Sequence, residues 1–244
     1  MREVAGDAPF KVTFPAASIF AHPFTTVEGA YGSVAEFVDA AVAIERRLVA
    51  DAVAAGASYI QFDFPLYPYI CDPAWVARFE GAGHDVNAAF TAALKADRAI
   101  LEDIPEDVTV GLHICRGNFR SSWMCEGSLE SVAEEVFDLP YDAFLIEWDD
   151  SSRDGDFEPL RYLRNQALAV MGLISTKTPE VEDEDAVIRR MDEAAAIVGG
   201  MDRLAISPQC GFASVMIGNE TNQDAQWRKL ELVGCVADRL WGSG

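Results

Sequence analysis

His113 and Cys115 stand two residues apart at the end of an apolar run, Asp107-Val108-Thr109-Val110-Gly111-Leu112-His113-Ile114-Cys115, that gives way to Arg116-Gly117-Asn118. The run reads as a buried strand closed by a Gly/Asn turn. Residues i and i+2 of a strand share a face, so an imidazole nitrogen and a sulfur are presented side by side where strand becomes loop. Two donors do not hold a metal ion. Zn²⁺ takes four, drawn from Cys, His and carboxylate. The chain offers two more in similar settings: Glu147 near the end of Ala143-Phe144-Leu145-Ile146-Glu147-Trp148, and Cys210 just beyond Leu204-Ala205-Ile206-Ser207-Pro208. His113, Cys115, Glu147 and Cys210 are therefore the predicted metal ligands, an N, S, O, S set with a net charge of about −1 around the ion.

A catalytic zinc site keeps a position for substrate. With thiolates dominating, the ion is a poor Lewis acid for hydrolytic water and suits a second thiol, whose pKa it lowers. Glu147, the hardest ligand, is the one expected to loosen when that sulfur arrives.

Gln61 and Asp63 share one face of the run Ser58-Tyr59-Ile60-Gln61-Phe62-Asp63-Phe64-Pro65. Asp63 is either a cap or satisfied carboxylate, or the partner of a substrate ammonium; with Gln61 it forms the predicted substrate-binding pair. Lys177, in Ser175-Thr176-Lys177-Thr178-Pro179, would hold an anion or supply a proton, unless it is an ordinary solvated lysine. Cys71 and Cys235 read as structural, Cys125 is ambiguous, and His22 and His84 read as isolated loop or surface histidines. The acidic runs Asp149 to Asp156 and Glu180 to Asp185 read as solvated loops and helix starts.

These residues need elements to position them. Strands are predicted at 10–15, 58–65, 108–115, 143–148, 167–174 and 204–212. Helices are predicted at 33–55, 85–101, 129–137, 158–164, 183–198 and 224–241, from apolar spacing and Gly stops. Residues 66–83, rich in proline and tyrosine, read as a connection, and Phe119 to Gly127 as a loop beyond His113 and Cys115. Alternating strands and helices imply parallel strands with crossover helices. No Gly-x-Gly-x-x-Gly follows the first strand, so a dinucleotide-binding fold has no support. Ligand-type residues recur at the carboxyl ends of the strands, where a (β/α)₈ TIM-type barrel keeps its active site. The expected architecture is thus an α/β barrel of that type, one catalytic domain over 1–244. Only about six βα units are visible, so the remaining strands are expected to be missing or supplied by another chain, a second subunit or a further copy.

Composition narrows the function. The 244 residues carry 40 acidic and 19 basic side chains, a net charge of −21. That argues against nucleic acid or an anionic membrane as partner. The acidic, lysine-poor surface fits a high-salt cytoplasm or simple solubility equally. No stretch approaches the roughly 20 apolar residues of a membrane span, and the N-terminus lacks a signal-peptide pattern. Five cysteines at irregular spacing do not make a disulfide framework. A cytoplasmic protein is expected.

The segments Tyr59-Ile60-Gln61-Phe62-Asp63, Gly111-Leu112-His113-Ile114-Cys115, Leu145-Ile146-Glu147 and Ser207-Pro208-Gln209-Cys210-Gly211-Phe212 resemble the catalytic domain of cobalamin-independent methionine synthase, with closest flavour in its shorter single-barrel relatives. The resemblance runs from about Phe10 to Trp241. It implies a (β/α)₈ barrel whose zinc, on His113, Cys115, Glu147 and Cys210, activates homocysteine for methylation by 5-methyltetrahydrofolate, with Asp63 on the amino group. Three motifs depart from the family pattern: Asp63-Phe64-Pro65 replaces Asp-Glu-Pro, Lys177 aligns with a histidine thought to handle protons near the folate, and Pro208-Gln209-Cys210-Gly211 replaces Pro-Asp-Cys-Gly. The family's first two barrel strands have no counterpart. The leading expectation is homocysteine S-methylation to methionine. The alternatives are thiol alkylation by an epoxide with coenzyme M, a methyl-corrinoid donor in place of methylfolate, and a non-catalytic zinc-binding partial barrel.

Overall fold

The computed structural model describes residues 2–27, 29–148, 155–213 and 215–242. Six parallel strands form one sheet in the order β1 to β6: Lys11–Pro15, Tyr59–Asp63, Thr109–Ile114, Ala143–Glu147, Leu168–Ile174 and Leu204–Pro208. Each pairs with the next in sequence. Parallel pairing of each strand with the next needs a crossover at every step, and the result is the partial TIM-type barrel that the alternating pattern predicts.

The helices are α1 (Arg2–Ala5), α2 (Val34–Ala54), α3 (Tyr67–Cys71), α4 (Pro73–Gly81), α5 (Val86–Ile100), α6 (Ala133–Phe137), α7 (Glu184–Val198) and α8 (Gln223–Trp241). Their starts follow from short polar side chains that accept a backbone N–H of the first turn. Ser33 accepts from Glu36, Asp85 from Ala88, Asp183 from Ala186 and Asn222 from Ala225. The α7 helix ends on Gly199 in the left-handed conformation, as its Gly-Gly stop predicts. No helix among the described residues is long and apolar enough to cross a membrane.

Several boundaries differ from the sequence reading. Residues 66–83 hold α3 and α4 rather than a bare connection: Pro68 and Pro73 fall in first turns, where a missing N–H is harmless. Asp72 caps α4 through Ala74 and Trp75 and also accepts from Glu126 N at 2.8 Å. Residues 129–137 split into a 3₁₀ turn, Leu129–Ser131, and α6; Glu158–Tyr162 is also a 3₁₀ turn. The acidic segment is described only from residue 155 onward, so most of that predicted loop lies outside the described residues.

His22 is not isolated. Its ring sits 4.9 Å from Tyr69 and 5.2 Å from Phe79, edge-on to both, and Phe24 bridges it to His84. Burial, then the neighbouring His84, lowers its pKa.

The core lies between the sheet and its helices. Ile60, Phe62, Leu112, Ile114, Phe144 and Ile146 are buried there. The opposite sheet face carries Gln61, Asp63, His113 and Glu147 into the barrel interior. Strand alternation thus separates packing from chemistry residue by residue.

Candidate metal centre

Register sets the first contact. Asp63 pairs with His113 across β2 and β3, and side chains at one register position of a parallel pair face the same way. Asp63 Oδ1 lies 2.7 Å from His113 Nδ1. The other ring nitrogen, Nε2, lies 3.3 Å from Glu147 Oε1. A carboxylate on one nitrogen fixes which way the ring turns and leaves the other for a cation.

Glu147 ends β4 opposite Gly172 of β5. A side chain at 172 would put its Cβ 2.8 Å from Ile146 O and 3.4 Å from the Glu147 Cα, so only glycine allows the strands to meet here. Cys115 falls one residue past the end of β3, not within it. Its N–H turns back to His113 O at 3.0 Å, and Gly117, at φ 94°, continues the turn where a Cβ would strike Met124. Cys210 arrives from the exit of β6. Its Sγ lies 3.0 Å from Cys115 Sγ and 2.7 Å from Glu147 Oε1.

Ligand atoms of His113, Cys115, Glu147 and Cys210 all lie within 4.8 Å of one another. With bonds of about 2.0–2.3 Å, tetrahedral zinc separates two sulfurs by about 3.8 Å. The sulfurs here need to part by under about 1 Å to admit the ion. Two sulfurs, an imidazole nitrogen and a carboxylate oxygen from different segments, converging on one point, fit zinc.

The electrostatics agree. Burial works against charge on His113, but Asp63 and Glu147 outweigh it and raise its pKa to about 10. Burial likewise opposes ionised Glu147, yet His113 and Lys177 hold its pKa down to about 2. Hydrogen bonding to Cys115, burial and nearby Glu147 push the Cys210 thiol up. Protons here collect on His113 and Cys210, as they do where negative donors crowd together; a divalent cation would take their place.

The cluster opens on a cleft of about 680 Å³ lined also by Lys11, Gln61, Asp63, Phe119 and Met124. Gln61 accepts a hydrogen bond from Lys11 Nζ at 2.8 Å. Lys177 does not line this cleft. It is 3 % exposed, donates to Gln209 Oε1 at 2.6 Å and stands 3.9 Å from Glu147 Oε2. It sits behind the carboxylate, steadying it.

Two residues of the site were not singled out from the sequence. Asn118 Nδ2 reaches Gly211 O at 3.1 Å and Thr176 Oγ1 at 3.4 Å, tying together the exits of β3, β5 and β6; its place in a Gly-Asn turn was the available signal. Lys11 opens β1, and nothing short of the strand register reveals that it faces the barrel interior.

Comparison with known proteins follows the same lines. Two proteins of Bacillus subtilis (strain 168), the uncharacterized proteins YxjH and YxjG, are each 35% identical over 99% of this chain. The chain spans 64% of the length of each. A candidate vitamin-B12 independent methionine synthase from Listeria monocytogenes superposes with a TM-score of 0.76 at 27% identity, over 99% of this chain and 67% of that one. The fold also matches a B12-independent methionine synthase from Shewanella sp. W3-18-1 in complex with selenomethionine, with a TM-score of 0.71 at 18% identity, over 98% of this chain and 64% of that one. Residues 32–226 match the family described as cobalamin-independent synthase, catalytic domain. With its strand-end donors and partial barrel in place, the chain belongs to that family.

Proposed function

We propose that this protein is a zinc-dependent thiol methyltransferase acting on homocysteine to give methionine, with His113, Cys115, Glu147 and Cys210 as the zinc ligands. The reading rests above all on the convergence of those four donors at the mouth of an open cleft. It is also supported by a 25% identical relative, the 5-methyltetrahydropteroyltriglutamate–homocysteine methyltransferase 1 of Oryza sativa subsp. japonica, matched over 75% of this chain and 21% of that protein.

Zinc bound there would supply the positive charge that keeps a substrate thiol ionised at neutral pH. The residues of the chain do the rest. Asp63 orients His113 and offers its carboxylate to the substrate ammonium. Lys177 and the Arg116 N–H, 3.3 Å from Glu147 Oε2, hold Glu147 in place. The substrate sulfur forms its bond to the methyl carbon as the bond to the donor breaks, the electron pair leaving with the donor. Positioning of the two reactants in the cleft lowers the barrier.

One observation favours a second donor. A folate donor leaves as an amine that needs a proton, and Lys177, which the family resemblance aligns with a histidine thought to handle protons, is buried behind Glu147 rather than lining the cleft. A methyl-corrinoid donor needs no such proton. Turnover of homocysteine with methyltetrahydrofolate against methylcobalamin separates the two. Zinc-edge X-ray absorption with and without homocysteine tests the whole reading: an added sulfur neighbour is expected, and an unchanged, closed four-ligand site would instead mark a structural zinc.

A further inference from the structure

The cleft holds a cation that the metal cluster does not use. Lys11 is in register with Tyr59, on the same sheet face as Gln61 and Asp63. Its Nζ donates to Gln61 Oε1 at 2.8 Å and lies 5.3 Å from the centre of the Tyr59 ring. Both neighbours are neutral, and no carboxylate approaches it within salt-bridge distance among the described residues. Partial burial lowers its pKa, while nearby Asp63 acts the other way. An ammonium so placed, exposed to solvent yet lining a cleft with only neutral neighbours in contact, is suited to an anion.

Asp63 lines the same cleft. One of its oxygens meets His113 Nδ1; the other has no partner among the described residues. One wall of the cleft thus carries a cation and an anion, held on adjacent strands, with two cysteine sulfurs nearby. That is the complement of a zwitterion bearing sulfur.

We propose that Lys11 is a specificity-determining residue that binds the α-carboxylate of an amino-acid thiol while Asp63 takes its α-ammonium, with Gln61 fixing the position of the Lys11 amine. The inference rests on the thiol-transfer reading above and narrows it. A mercaptoalkane sulfonate such as coenzyme M would leave Asp63 without a cation, and a simple aminothiol would leave Lys11 without an anion.

Titration calorimetry on the zinc-loaded chain tests this without turnover. The probes are methionine, which carries both ionic groups and no reactive thiol, and 3-(methylthio)propylamine, which lacks only the carboxylate. The wild type is expected to prefer methionine roughly 10- to 100-fold, the range for a charge-assisted contact. Lys11→Met should abolish that preference while holding the amine within about twofold, which also shows that the variant is folded; Lys11→Arg should recover part of it. A Lys11→Met protein that weakens both ligands equally, or neither, overturns the assignment. If that unaffected variant still methylates homocysteine, the thiol-transfer reading stands and only the carboxylate contact falls. A wild type that holds zinc but binds neither ligand overturns the contact alone, and one that holds no zinc removes both.

Discussion

The Cys115 and Cys210 sulfurs lie 3.0 Å apart across 95 residues of chain, with Glu147 Oε1 2.7 Å from the second of them. Protonated, such a trio can share hydrogen bonds; ionised, it needs a cation. Purified protein is therefore expected to carry one zinc per chain by elemental analysis, and Cys210→Ser to lose most of it. Wild-type protein that stays zinc-free after reconstitution would refute the metal assignment.

Asp63 holds His113 by its far nitrogen. Asp63→Asn keeps the shape but weakens that orientation, and partners of this kind typically contribute about 10- to 100-fold to metal affinity. Competition against a fluorescent zinc chelator should show a loss in that range with an unchanged melting temperature. An affinity equal to the wild type would mean that the His113 ring is held by something else.

Gly172 is the one residue that lets β5 pass Glu147. Gly172→Ala places a methyl 2.8 Å from a carbonyl oxygen, so the strands must part and Glu147 must move. Both stability and zinc binding are expected to fall, stability by about 1–3 kcal/mol, as read from urea denaturation alongside metal content.

Lys229 of α8 is fully buried, with its amine 2.9 and 3.0 Å from the two Glu182 oxygens. Glu182 in turn accepts from Ser175 N at 2.8 Å at the exit of β5. Removing one partner of such a pair strands the other. Lys229→Met should destabilise the fold by about 3 kcal/mol, measured as a lower urea midpoint; a midpoint within error of the wild type would show that the pair contributes nothing net.

Glu45 and Asp97 form a second acidic site, unrelated to the metal centre. Burial, then the other acid, raises Glu45 to about 7, and burial raises Asp97 to about 6 against hydrogen bonds from Tyr67 and Ser18. Both folded values exceed the unfolded ones, so the folded state binds more protons. The stability they contribute is complete below about pH 4 and is lost as pH rises through 6 to 7. Glu45→Gln should flatten this fall, leaving the variant more stable than the wild type at pH 8 by an amount on the order of 2 kcal/mol. Melting curves at pH 5 and pH 8 for both proteins give the answer; parallel pH profiles would exclude Glu45 as the source.

By itself the sequence determined the alternation of strand and helix, the helix caps and stops, and the placement of His113, Glu147 and Cys210 at strand ends. These are local properties: apolar periodicity, a capping side chain and a glycine act within a few residues. Only the tertiary structure decided the rest. Neighbouring-strand register set Asp63 on His113 and brought Lys11 to the cleft, and no periodicity within one strand carries that information. Packing drew Lys177 behind Glu147 and His22 into an aromatic cluster, because a side chain's exposure depends on what the remote chain lays over it. The same reason made helices of residues 67–81, whose prolines read as breaks until their first-turn positions were fixed.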